Sequence, residues 1–305
     1  MANVEWTQYA SQSEWLEARR NTIGASEAAA VLGASKYDTP LSLYLSKLGL
    51  VPEDEGKADL FRIGLLMEPV VAQLYQLECP DAIVLTPRPY TVYRNSAFPE
   101  WMTATPDRLL AGLPQPAPLE LKNLDWRMGV EWVDEPPLTY IIQLQHQMAC
   151  LDADEGILAA LVGGNRFKWC ALKRDNDFID GVLVPALVRF RTCLEMQVPP
   201  DPDDSERTRE ALKAAYPTHV PNKVVVLGGG AIEWDEAREA ASADLADAEA
   251  RKREAENRLL LALGDAERGE LPNGVAYTCK LQSRKESVIK ATSFRVLRRS
   301  SPKGA

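Results

Sequence analysis

Two periodicities divide the first 199 residues of this chain. Leu119-Glu-Leu-Lys122 alternates apolar and charged positions, the mark of a strand with two unlike faces. Leu119 and Leu121 are expected to face a core, and Glu120 and Lys122 to share the opposite face. Strand-forming residues fill 83–94 and 102–123, with turns expected at Pro106 and in Leu113-Pro-Gln-Pro-Ala-Pro118. Residues 156–172 read as a hairpin closed by Gly163-Gly164-Asn165. Helical spacing marks 13–20, with Ser13 as its expected cap, and a helix opened by Gly24-Ala25-Ser26 that stops at Gly33. Pro40 at a first helical position and Gly49 past the end bracket a third helix, 41–48. A longer helical stretch covers 59–78, with a kink or restart expected at Pro69. Residues 137–153 and 178–197 also read as helices. The order is α, β, α, ββ, α, which makes a mixed sheet flanked by helices, in the α/β (α+β) class.

Pro199-Pro-Asp-Pro-Asp-Asp204 has the composition of a linker, so the expected units are a core over 1–199 and an accessory region over 200–305. Within the latter, Trp234, Ala241, Ala248, Ala255 and Ala262 recur every seven residues along a charge-rich helix over 234–263, a narrow seam suited to close helix pairing. Residues 275–281 and 293–297 read as terminal strands.

Composition narrows the chemistry. Two histidines far apart, His146 and His219, argue against a zinc site and against histidine general-base catalysis. The five cysteines are scattered without a C-x-x-C, as in reduced proteins, and the first residues lack a basic start followed by an apolar run. A cytoplasmic protein is therefore expected, with no membrane partner, since no apolar run approaches the length of a span. The net charge of −9 argues against nucleic acid, but from Lys280 onward there are eight Lys or Arg and one acidic residue, Glu286. That tail reads either as a basic contribution to duplex binding or as an edge strand protected by its charges.

The candidate chemistry lies in Pro106-Asp107 followed, thirteen residues after the aspartate, by Glu120-Leu121-Lys122. Two carboxylates suit a divalent cation, and a lysine nearby suits orientation of an attacking water and of phosphate charge, as phosphodiester cleavage requires. The plain alternative for the triplet is an exposed strand of alternating charge.

Taken in order, Arg19-Arg20-Asn-Thr-Ile-Gly24-Ala25-Ser26, Gly64-Leu-Leu-Met-Glu68-Pro69, Pro106-Asp107, Glu120-Leu-Lys122 and Tyr140-Ile-Ile-Gln143-Leu-Gln145 resemble the YqaJ-type viral recombinases. These are a branch of the lambda exonuclease group in the PD-(D/E)xK nuclease superfamily. The resemblance covers about 10–195 and implies a restriction-endonuclease-like fold with a helical C-terminal extension. It implies a Mg²⁺-dependent (or Mn²⁺-dependent) 5′→3′ double-strand DNA exonuclease that leaves 3′ single-stranded tails for recombination by strand annealing. The alternatives are a structure-selective endonuclease of the same superfamily and a DNA-end-binding scaffold without catalysis. Asp107 would bridge two ions. Glu120, the Leu121 carbonyl and Glu68 would complete their ligands, and oxygen donors suit such hard cations. Lys122 would activate water, or instead donate to the phosphate. Arg19 and Ser26 would bind a DNA phosphate. A helix N-terminus also favours anions, and an N-cap is the plain role for Ser26. Gln143 would contact the site, its plain role being a surface amide. Trp126, Arg127 and Trp132 would stack on bases or pack in the core. The implied partners are double-stranded DNA ends and a single-strand annealing protein in a phage or prophage setting. The lambda-type enzyme is a ring-forming trimer, and the long C-terminal region departs from it.

Overall fold

The computed structural model describes residues 3–51, 55–127, 132, 134–283 and 295–299. It divides into two compact units, 1–217 and 218–305.

The first unit opens with β1 (Val4–Gln8) and α1 (Gln12–Arg20), capped by Ser11, whose hydroxyl accepts from the Glu14 N–H at 3.3 Å. The cap is thus Ser11 and not Ser13, which only contacts the Ser11 hydroxyl. A two-residue strand, β2 (Ile23–Gly24), leads into α2 (Ala25–Val31). Gly24 is the N-cap here, and Glu27 reaches back to the Gly24 N–H at 2.9 Å. Ser26 therefore lies inside the first turn and does not cap. α3 (Pro40–Lys47) starts at Thr39 and Pro40 as the pattern predicts.

α4 (Glu55–Glu78) runs unbroken through Pro69. Proline removes one intrahelical bond and costs a helix interior about 3 kcal/mol. Burial of Val71 and Tyr75 against the central sheet holds the helix together past it. Next come β3 (Ile83–Leu85), β4 (Thr91–Asn95), β5 (Met102–Thr103), β6 (Arg108–Ala111) and β7 (Ala117–Leu124). α5 (Leu138–Leu151) then leads to the hairpin of β8 (Glu155–Val162) and β9 (Arg166–Lys173).

Among the described residues the central sheet has five strands in the order β3-β6-β7-β8-β9. β7 and β8 are parallel and the other pairings antiparallel, so the sheet is mixed as expected. The parallel pair requires a crossover, and α5 supplies it. Leu119 and Leu121 pack with Val71 and Tyr75 of α4, while Leu144 and Met148 of α5 pack with Leu158 and Ala160 on the opposite face. The alternation in β7 thus puts Glu120 and Lys122 on the α5 side.

A third cluster joins α2 to α5. Ala28, Ala29 and Ala30 are buried with Ile142 and Ala149, and such small residues let the two helices approach closely. A short helical turn (Asn176–Phe178), a π-helical turn (Ile179–Leu183) and α6 (Val184–Met196) complete that layer. α7 (Glu206–Ala215) packs on α3, where the Thr39 and Thr208 hydroxyls bond at 2.8 Å and Arg207 meets Asp38 at 3.1 Å. The sequence boundary at 199/200 and the observed one at 217/218 differ by this helix. The linker is real in composition, yet the chain returns to the core after it.

In the second unit α8 (Gly230–Leu263) is a single helix of 34 residues, and none of its described residues is buried within the structure. Beyond it, β10 (Arg268–Glu270) pairs with β11 (Ala276–Thr278). Arg299 meets Asp235 at 2.9 Å, and Lys280 meets Glu267 at 2.6 Å. Of the strand expected over 293–297, residues 295–297 lie outside any strand and 293–294 lie outside the described residues, as does much of the basic tail. No helix among the described residues is long and apolar enough to cross a membrane.

Candidate active site

β6 and β7 pair antiparallel with Arg108 opposite Leu119, which brings the end of the Pro106-Asp107 turn beside Glu120-Leu121-Lys122. The Leu121 N–H donates to Asp107 Oδ2 at 2.8 Å, so one bond spans the two halves of the motif. Burial, and next the neighbouring Glu120 charge, hold the Asp107 carboxyl well above the usual carboxylate range, and Glu68 adds to this. Lys122 and the Leu121 N–H oppose the shift without cancelling it.

Glu120 is only 2% exposed although it is a carboxylate in mid-strand. Such a charge needs partners, and it has three. Lys122 Nζ and Gln143 Nε2 donate to Oε1, the latter at 2.6 Å, and Gln147 Nε2 donates to Oε2 at 2.6 Å. The exposed-strand alternative for the triplet is thereby excluded, as is the surface-amide role for Gln143, which is buried. Burial alone would lower the Lys122 pKa, but the Glu120 and Asp107 charges outweigh it and push it up to about 12. Lys122 Nζ also sits 5.3 Å from the Tyr140 ring centroid.

Glu68 comes from α4, and its nearest cation is Arg108, at 3.6 Å. Burial raises its pKa, with Glu120 adding to the shift and Arg108 and Lys122 opposing it. On another wall, Arg19 at the end of α1 reaches the Ser26 hydroxyl at 3.4 Å and lies 4.9 Å from the Trp15 ring centroid. Glu27 orders this corner by joining the Gly24 N–H, Arg19 at 3.7 Å and Lys47 at 2.7 Å.

The three carboxylates, Lys122, Arg19 and Ser26 open on one cavity of about 670 Å³, while Glu27, Lys47 and Tyr140 stand behind its wall. Arg19, Ser26, Glu68, Asp107, Glu120, Leu121, Lys122 and Gln143 line it together, although they come from six elements and turns of the chain. Arg20 does not line it, and Arg20 pairs with Glu17 at the surface instead. Neither Trp126 nor Trp132 reaches the cavity: Trp132 is buried in the core and Trp126 is exposed with Arg127 beside it. Gln147 and Arg88 line the cavity and were not singled out from sequence. The signal for Gln147 was present in its spacing, one helical turn after Gln143, but the adjacent Gln145 looks equivalent in sequence. In the fold Gln145 turns away and bonds the Lys173 carbonyl and the Asp175 N–H.

Three carboxylates share one cavity, where burial and the Glu120 charge raise the pKa values of Asp107 and Glu68, and together they make a donor set of hard oxygens that a divalent cation would relieve. Among the described residues no three His, Cys, Asp or Glu side chains stand as a ready-made metal cluster. Glu120 is engaged by Lys122, Gln143 and Gln147, so a cation would have to share or replace the Lys122 contact. His146 takes no part. It is fully buried against the Thr103 carbonyl and, through burial, held at a pKa of about 4.

Residues 14–154 match the family described as the YqaJ-like viral recombinase domain, a span that holds every one of the cavity groups argued above. The protein YqaJ of Bacillus subtilis (strain 168) is 29% identical over 266 residues, covering 86% of this chain and 82% of that protein. Among solved structures, an alkaline exonuclease (LHK-Exo) from Laribacter hongkongensis is similar at 20% identity and a TM-score of 0.48, over 66% of this chain and 99% of that one. A phage related exonuclease from Haemophilus somnus 129PT follows at 14% identity and a TM-score of 0.36, over 58% and 96%.

Proposed function

We propose, from a chain that carries a YqaJ-like viral recombinase domain over residues 14–154, that this protein is a divalent-cation-dependent deoxyribonuclease acting in recombination. One observation carries the reading: Glu68, Asp107, Glu120 and Lys122 converge on a single cavity that also holds Arg19 and Ser26. Acidic groups, a lysine and a separate cationic corner in one cleft suit a phosphodiester with a second phosphate nearby.

The substrate is double-stranded DNA entered from an end, cut from 5′ to 3′, leaving 3′ single strands for an annealing partner. That polarity follows the family resemblance. Glu68, Asp107, Glu120 and the Leu121 carbonyl are the groups that would hold Mg²⁺ or Mn²⁺, two ions in this reading. When bound, the cation supplies Lewis acidity and a water more readily deprotonated. Lys122 is charged while Glu120 and Asp107 face it, with its pKa at about 12. Lys122 is thus placed to donate to the scissile phosphate or to orient the attacking water. Arg19 and the Ser26 hydroxyl hold a phosphate of the attacked strand, with Arg19 kept in place by Trp15 and Glu27.

End-labelled linear duplex and closed circular DNA incubated with Mg²⁺ test this directly. Release of the 5′ label as mononucleotide, with circles left intact, is the expected result. Nicked or linearised circles would favour an endonuclease, and binding without cleavage would leave a scaffold.

A further inference from the structure

Gln147 has no role in the reading above, yet its side chain is as deeply built into the cavity as Glu120 itself. It is 1% exposed and donates from Nε2 to Glu120 Oε2 at 2.6 Å. Gln143, one helical turn earlier on α5, donates to the other oxygen at the same distance. Two amides from one rigid helix therefore grip the two oxygens of one carboxylate. With both oxygens tied, the carboxylate plane cannot rotate, whereas either bond alone would leave it a hinge. A carboxylate only accepts, so the Gln147 amide must turn its NH₂ toward Glu120 and its carbonyl away. That carbonyl, Oε1, is buried and has no hydrogen-bond partner in the structure, and an orphaned acceptor of this kind is destabilising unless something fills the position. Both facts single out Gln147 from Gln145, two residues before it on the same helix, whose amide is fully used by backbone groups of the β9 end.

We infer that Gln147 is a positioning residue for the cation site: it fixes the Glu120 carboxylate in the orientation that a divalent cation meets, and its free carbonyl accepts from a water within that site. The inference rests on the proposed cation-dependent nuclease. Partners of this kind, one bond removed from a metal, change affinity or activity by about 10–100-fold when lost.

The test compares full-length wild type, Gln147→Met and Gln145→Met. Each is titrated with Mg²⁺ and with Mn²⁺ in the absence of DNA, and the rise in unfolding temperature is read against cation concentration. The half-saturating concentration for cleavage of linear duplex is measured in parallel. Gln147→Met is expected to need about 10-fold or more cation for half-maximal stabilisation and for cleavage, with its rate at saturating cation less affected. Gln145→Met is expected to lower the unfolding temperature without cation and leave the cation midpoint at the wild-type value. Should Gln147→Met fail to fold, Gln147→Asn, which keeps the amide on a shorter stem, goes through the same titrations with the same expectation. An unchanged midpoint in the folded variant, or equal shifts in both methionine variants, would overturn the inference while leaving the nuclease reading intact. A wild type that neither gains stability from cations nor cuts DNA would overturn both.

Discussion

At the scale of single residues, the site shows how much a short motif fixes and what it leaves open. Glu120 and Lys122 were legible because β7 alternates, and alternation alone decides which side chains share a face, whereas Asp107 was legible from the Pro106-Asp107 turn before β6. Whether that face is solvent or active site is a tertiary matter. The two α5 amides cover the Glu120 carboxylate and close that face to bulk water, and their partnership with it spans 23 and 27 residues of chain. No local pattern distinguishes Gln147 from Gln145. Ser26 shows the reverse case. Its position one residue inside α2 removes the capping role, and a hydroxyl freed from the backbone is available to Arg19 at 3.4 Å. Arg19→Ala should therefore slow digestion of ends bearing a 5′-phosphate by about 10-fold or more relative to ends bearing a 5′-hydroxyl, the weight of a hydrogen bond to a charged group. Rates on the two substrates, measured side by side, check this. Equal slowing would take Arg19 out of the terminal-phosphate pocket.

At the scale of elements, the helices and strands that carry the site follow from their sequence pattern, and the departures have local causes. Proline interrupts helices that stand alone, but α4 lies on the sheet and its buried Val71 and Tyr75 outweigh the lost bond at Pro69. The cap of α1 moved from Ser13 to Ser11 because either serine satisfies the pattern and only one has extended backbone at the helix start. The approach of α5 to the sheet was not legible. It depends on Gly156 of β8, where a Cβ would stand 2.9 Å from Leu144 Cγ and 3.1 Å from Pro118 Cγ. Leu144 is buried on α5, and Pro118 is buried on β7, the strand that bears Glu120. Gly156→Ala should accordingly destabilise the protein by about 1–3 kcal/mol, the usual cost of overpacking. Denaturant unfolding reads the change, and a loss under about 0.5 kcal/mol would mean that α5 yields easily. Because α5 carries Gln143 and Gln147, the same variant is expected to impair cleavage as well as stability.

At the scale of the whole molecule, the first unit is complete through 217. Its core takes in Ala211 and Ala215 of α7, beyond the proline-rich stretch that composition marks as a boundary. Sequence reports a linker by its residues but not whether the chain comes back to the core after it. A chain of 1–217 should fold and keep the cavity. A chain of 1–199 should be less stable by at least about 1 kcal/mol, since it loses the Thr39–Thr208 bond and the burial around Ala211. Thermal unfolding of the two truncations decides this, and equal midpoints would restore the earlier boundary. Every role proposed for these residues requires that DNA be cut in the cavity bordered by Asp107. The most direct test is cleavage of 5′-labelled linear duplex in Mg²⁺ by wild type and by Asp107→Ala, with circular dichroism confirming that both are folded. The account predicts 5′-label release by wild type and less than about one hundredth of that rate in the variant, since even partners outside the ligand shell are worth about 10–100-fold. Wild-type rates in a folded Asp107→Ala protein would contradict it.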